Sequence, residues 1–204
     1  MRASIRILIV VGILIPCLPC QAEADWLITP FLGRTFLGET TLFDSEEAVG
    51  KADWSFGGVA TLLGAGRFGV EGLFLYTPGF FQQDSPPPNR PDVVDSRSIA
   101  IMGNFVLATP RKWNEYGLRP YISAGIGALK ASAKDELNLL PVNATLLGYN
   151  VGGGAYGLFT ERAGLRFDLR YFSNLKPSAS EEQIALGRVQ LNYWNASVGV
   201  IFRY

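Results

Sequence analysis

The chain has no histidine. That removes Ser-His-Asp catalysis and histidine metal sites. No paired carboxylates stand out for acid–base work, so the residues predict no enzyme, no catalytic residue, no metal and no cofactor. Cysteine is nearly missing as well: Cys17 and Cys20 are the two present, and both fall within the first 24 residues. Pro16 and Pro19 precede them, where a lipoprotein would place a small residue, so lipidation is not expected. Without that segment the chain has no thiol and no disulfide. An excess of one charge is also absent, since 18 basic side chains balance 18 acidic ones. A nucleic-acid partner would need a basic surface, and none is expected. Beyond Ala24 no apolar run approaches the ~20 residues of a membrane helix. Such a chain enters a membrane only as a closed barrel, which leaves no strand edge unpaired in lipid.

What is present fits that route. A length of 204 residues allows one domain or two small ones. Hydrophobic content of 48%, 23 glycines and 12% aromatics suit a β protein with one apolar face and one polar or small face. Arg2 and Arg6 precede an apolar run from Ile7 to Ile15, and Ala22-Glu23-Ala24 follows. This is the pattern of a secretory signal peptide, and the run is too short for a membrane anchor. The expected organisation is a signal peptide at 1–24, cleaved after Ala24, and one barrel domain at 25–204.

Eight strands are predicted: Trp26–Leu37, Trp54–Ala65, Arg67–Thr77, Arg97–Ala108, Leu118–Lys130, Leu146–Leu158, Gly164–Ser173 and Arg188–Tyr204. The alternation is plain in several. Phe68, Val70, Phe74 and Tyr76 oppose Gly69, Glu71, Leu73 and Leu75. Ile99, Ile101, Phe105 and Leu107 oppose Ser98, Ala100, Asn104 and Ala108. Leu165, Phe167, Leu169 and Tyr171 oppose Arg166, Asp168 and Arg170. Successive side chains point to opposite faces, so each strand has a greasy side and a polar or small one.

Periodicity alone does not say which side is inside. A soluble barrel buries the greasy side; a membrane barrel turns it to lipid. Three features favour the membrane sense. Connections alternate in length: short at Gly64–Gly66, Pro110–Tyr116 and Thr160–Ala163, long at Gly38–Asp53, Pro78–Ser96, Ala131–Thr145 and Asn174–Gly187. Aromatics fall near strand ends, among them Trp26, Trp54, Tyr76 and Trp194. The last strand alternates through Val198, Val200, Phe202 and Tyr204, and Phe202 and Tyr204 are expected to form the signal read by the outer-membrane assembly machinery.

Particular residues also resemble a known family. Pro120-Tyr121-Ile122-Ser123-Ala124-Gly125-Ile126-Gly127 is similar to the PY-x-x-x-G-x-G fifth strand of OmpA/OmpX-like small outer-membrane β-barrels. Leu165-Arg166-Phe167-Asp168-Leu169-Arg170-Tyr171 is similar to their LR-x-D-x-RY seventh strand. Glu71 and Asn104 fall where this group tends to place an inward Glu and Asn. The resemblance runs from Asp25 to Tyr204. It implies an eight-stranded antiparallel up-and-down transmembrane β-barrel in the outer membrane of a Gram-negative-type bacterium. Outer-membrane lipid and lipopolysaccharide would surround it. Members that modify lipid A use a histidine, which this chain lacks.

Other patterns carry little. Gly64-Ala65-Gly66-Arg67-Phe68-Gly69 fits G-x-G-x-x-G, but a strand follows where a dinucleotide site needs a helix. Gly152-Gly153-Gly154 marks a place where a small barrel needs slim residues inside. Acidic residues such as Asp44, Glu46, Glu47, Asp84, Asp92, Asp95, Glu181 and Glu182 solvate the long connections and lack calcium-loop spacing.

The expected function is non-enzymatic: a structural or surface-interaction barrel acting through long extracellular loops, with no extracellular partner named by the residues. The alternative is a narrow channel or carrier for small hydrophobic molecules. A soluble periplasmic lipid-binding barrel would follow from the opposite sense of alternation. Glu71, Asn104, Tyr121, Arg166, Asp168 and Arg170 are expected to form an interior polar network that plugs the lumen.

Overall fold

The computed structural model describes residues 24–40, 53–64, 66–80, 93–110, 118–135, 142–175 and 191–204. Within them run β1 (Ala24–Thr40), β2 (Asp53–Gly64), β3 (Phe68–Pro78), β4 (Val93–Ala108), β5 (Leu118–Asp135), β6 (Val142–Leu158), β7 (Ala163–Asn174) and β8 (Leu191–Arg203). Each pairs with the next, and β1 pairs with β8, closing an antiparallel barrel. The seam extends to Tyr204, whose N–H donates to the Trp26 carbonyl at 2.9 Å. Residues 1–23 of the predicted signal segment 1–24 and the loop acids Asp44, Glu46, Glu47, Asp84, Asp92, Glu181 and Glu182 lie outside the described residues. So does the predicted start of the last strand, Arg188.

Alternation takes the sense that puts grease outside. Phe105, Leu107, Phe167, Leu169, Val198 and Val200 all stand exposed on the outer wall. Glu71, Asn104, Arg166 and Arg170 are buried within. The physical reason is the two-residue repeat: fixing one residue of a strand inward fixes all the others.

Two expectations need correction. The predicted loop Ala131–Thr145 is mostly strand, because β5 and β6 remain paired out to Ala133 and Val142 and leave only 136–141 as connection. Strand β4 likewise starts at Val93 and pairs with β5 there, inside the predicted loop Pro78–Ser96. The difference in connection length is therefore smaller than the sequence predicts. Beyond the end of the β3–β4 ladder at Pro78 and Arg97, and of the β6–β7 ladder at Gly148 and Asn174, β4, β5 and β6 continue as a three-stranded sheet, with no further strand paired to it among the described residues. Second, the lumen is not uniformly polar. An eight-stranded barrel is filled by its own side chains, and here they form layers. Leu27, Leu63, Val106, Tyr156 and Ile201 fill the short-turn end. Leu75, Met102, Leu129, Leu146, Phe172 and Tyr193 fill the loop end. The charged side chains lie between.

The short-turn rim is tied by Arg119 of β5. Its guanidinium donates to the carbonyls of Thr109 at 2.6 Å, Gly64 at 3.1 Å and Gly66 at 2.6 Å. One side chain thus joins the β2–β3 turn to the start of the β4–β5 connection.

A buried charge cluster as candidate functional site

Arg166, Asp168 and Arg170 are two residues apart on β7, so all three project into the lumen. Glu71 projects inward from β3, across the ring. Its carboxylate takes Arg166 Nη2 on Oε2 at 2.8 Å and lies 2.8 Å from Arg170 Nη1 on Oε1. Asp168 takes Arg166 Nη2 at 2.7 Å and Arg170 Nε at 2.7 Å. All four side chains are buried, with no more than 7% exposure. Two arginines against two carboxylates make the cluster neutral. That matters because removing one member strands a charge in a medium that solvates it poorly.

Neutral groups complete the arrangement. Asn104 Nδ2 donates to Glu71 Oε1 at 2.8 Å, and Thr61 Oγ1 donates to Oε2 at 3.2 Å. Tyr121 donates its hydroxyl to Asp168 Oδ2 and accepts from Arg166 Nε at 2.8 Å. All six residues expected in an interior network are therefore brought into one cluster.

Three further members were not picked out in the sequence. Asn150 Nδ2 donates to Asn104 Oδ1 at 2.7 Å. Tyr156 stacks on Tyr121 with centroids 4.3 Å apart, and the Arg166 guanidinium lies over both rings at 4.9 and 5.2 Å. Thr61 is the third. The signal that could have found Asn150 and Tyr156 is the inward phase they share with Gly152 and Gly154 on β6.

Glycine makes room for this. A Cβ on Gly152 would come within 2.6 Å of the Arg170 side chain, and one on Gly154 within 2.9 Å of the Tyr121 hydroxyl. Gly153 corrects the reading of the triplet as all inward: a strand alternates, and its missing side chain faces the outer wall against the β5 backbone.

Beside the cluster lies a cavity of about 10 Å³, lined by Arg166, Asp168 and Arg170 on one side and Leu73, Leu75 and Phe172 on another. That is room for about one water molecule. Among the described residues this small cavity is the space that the three β7 charges line, so the arrangement is suited to sealing. Phe202 stands on the outer wall and Tyr204 at the short-turn rim, both exposed and away from the cluster.

No protein-family model matches the chain, and no curated protein does. Solved structures do. The chain is similar to Neisserial surface protein A, with TM-score 0.61 and 13% identity over 88% of this chain and 97% of that one. It is similar to the N-terminal β-barrel domain of Pseudomonas aeruginosa OprF, with TM-score 0.54 and 18% identity over 90% and 100%. The fold is that of the small OmpA/OmpX-like outer-membrane barrels. Ail of Yersinia pestis, in complex with the heparin analogue sucrose octasulfate, shares this fold at TM-score 0.54 and 15% identity, over 89% of this chain and 99% of that one. At such identities the likeness extends to the barrel and leaves the loop ends to be read on their own.

Proposed function

We propose that residues 25–204 form a non-enzymatic, sealed outer-membrane barrel, exported on a cleaved signal at 1–24, whose loop end is an interaction surface. The observation that carries the membrane assignment is the outer wall. Phe74, Ile101, Phe105, Ile122, Ile126, Leu147 and Val151 are among the exposed apolar side chains, forming a patch far larger than soluble monomers expose. Aromatic residues border it: Trp54, Tyr76, Tyr171 and Trp194 toward the loops, and Trp26, Phe68 and Phe202 toward the short turns. On β3, Phe68 to Tyr76 spans ~20 Å along the axis at ~3.3 Å per residue and ~40° tilt, close to the height of a lipid-facing band. Outer-membrane lipid and lipopolysaccharide are then its surroundings, and the outer-membrane assembly machinery its route of insertion. Fractionation of cells tests this: the protein should sediment with the outer membrane and migrate differently before and after heating. Recovery in the soluble periplasmic fraction would overturn it.

The interaction role is supported by the projecting sheet of β4, β5 and β6. Among the described residues, no strand pairs with the outer edges of 93–95 and 142–146. An open edge offers backbone groups to an extended partner segment. Replacing 136–141 and the projecting residues by a tight turn should abolish any cell-surface interaction while leaving the barrel folded. The carrier alternative finds little support in a filled lumen. In planar bilayers the protein should give negligible conductance, and a steady open level would restore the channel reading.

A further inference from the structure

Pro30 of β1 and Pro120 of β5 both stand where a neighbouring strand presents a carbonyl, and neither has an N–H to give it. The two cases differ. Pro120 accepts from the Thr109 N–H at 3.0 Å and returns no donor, but the guanidinium of Arg119 takes its place, with Nε on the Thr109 carbonyl at 2.6 Å. On β1, Trp26 and Tyr204 exchange both backbone bonds across the seam with β8. Bonded pairs recur every second residue, and the same register sets Ile28 against Phe202 and Pro30 against Val200. The Val200 carbonyl therefore points at a residue that has nothing to donate. Among the described residues no side chain replaces the bond, and the hydroxyl of the adjacent Thr29 is buried without a partner. The β1–β8 ladder accordingly skips from Ile28 and Phe202 to Phe31 and Gly199, while the other ladders run unbroken through the wall.

Little else holds the seam at this place. The side chains that face the lumen beside the gap belong to Phe31, Gly33, Ser197 and Gly199, and two of these are glycines. The cavity of about 10 Å³ lies directly behind Phe31, Ser197 and Gly199. On the outer side Val200 is exposed, two residues from Phe202, and hydrocarbon offers its carbonyl no donor. We propose that the wall parts here first: β1 and β8 separate around Pro30 more readily than any other neighbouring strands. The charge cluster closes the lumen from end to end, and this seam is where the lumen meets the lipid from the side. The missing lipid donor rests on the membrane assignment, which fractionation tests by itself; the gap in the ladder does not.

Amide hydrogen exchange, resolved by NMR on the full barrel in lipid nanodiscs, reads such local opening. Strand β8 contains its own control. Val200 and Phe202 bond across the seam to β1, whereas Gly199 and Ile201 bond to β7, in the phase set by the Arg203 N–H on the Arg162 carbonyl. The four amides share one strand and one depth. After correction for intrinsic rates, Val200 and Phe202 should exchange about tenfold faster than Gly199 and Ile201. Phe105, whose N–H bonds to β5 in mid-wall, should match the slow pair. Pro30→Val supplies the missing N–H, keeps the outward face apolar and should bring the fast pair down to the slow one. Equal rates along β8 in the unaltered barrel, or a Phe105 as fast as Val200, would overturn the proposal with no variant needed. A difference that Pro30→Val leaves unchanged would overturn it as well, because the proline would not be its cause.

Discussion

Two ion pairs in this barrel have the same length and different surroundings. Arg166 meets Glu71 at 2.8 Å in mid-lumen, where the side chains are 3% and 0% exposed. Arg203 meets Asp25 at 2.8 Å on the short-turn rim, where they are 22% and 21% exposed. Water and salt compete for the rim pair, so its formation changes little. In the lumen there is room for about one water beside the charges, and the partners they do have are fixed: Asn104, Thr61, Tyr121 and the Tyr156 face. The distance between charges therefore says little about what a pair contributes; the cost of leaving one of them alone decides it.

That contrast is open to attack at four levels. Glu71→Ala leaves Arg166 and Arg170 sharing one carboxylate and should destabilise the barrel by about 3–5 kcal/mol. Urea unfolding in lipid vesicles, followed by heat-modifiable migration, measures it; a loss near that of a rim variant would erase the distinction. Leu169→Arg places a charge on the opposite face of the same strand, among outer-wall side chains, and should cost about 2–4 kcal/mol if that wall meets the membrane midplane. Equal tolerance of arginine on both faces of β7 would sink the membrane assignment. Gly152→Ala changes no charge but presses on the Arg170 side chain, and about 1–3 kcal/mol is expected from overpacking. Comparing it with Gly58→Ala, where a Cβ meets nothing within 4 Å, separates crowding from backbone effects. Asp25→Asn should lose only about 0.2–1 kcal/mol. Its effect should fade in high salt, while that of Glu71→Ala persists.

The barrel was legible because its repeat is short and repeated eight times. A residue such as Phe105 or Leu169 declares its face through its neighbours two positions away. The charged members of the cluster were legible for a related reason: Glu71, Arg166, Asp168 and Arg170 are conspicuous on faces that must point inward if the wall is greasy. Asn150, Thr61 and Tyr156 were not, because a neutral side chain on an inward face looks the same whether it bonds to a charge or merely fills space. Their roles depend on register across β2–β3 and β5–β6, which no single strand encodes. The projecting part of β5 and β6 was hidden for another reason. Residues 131–135 and 142–145 lack the greasy face of a lipid-spanning strand, so the pattern that marks strands inside the belt is missing above it. Phe80 was invisible in the same way, since an aromatic after Pro78-Gly79 reads as a loop residue until the turn into the lumen is seen.

The distribution of the cluster along the chain has a consequence for assembly. The three charges on β7 carry one more positive than negative, and Glu71 on β3 supplies the missing negative. Neither half of the chain balances its own inner face. A hairpin of β7 with β8, or of β3 with β4, would carry an uncompensated charge into any medium poorer than water. The smallest electrically complete unit is the ring itself, so electrostatics gives partially inserted strands a reason to remain at the water boundary until the first and second halves of the chain meet.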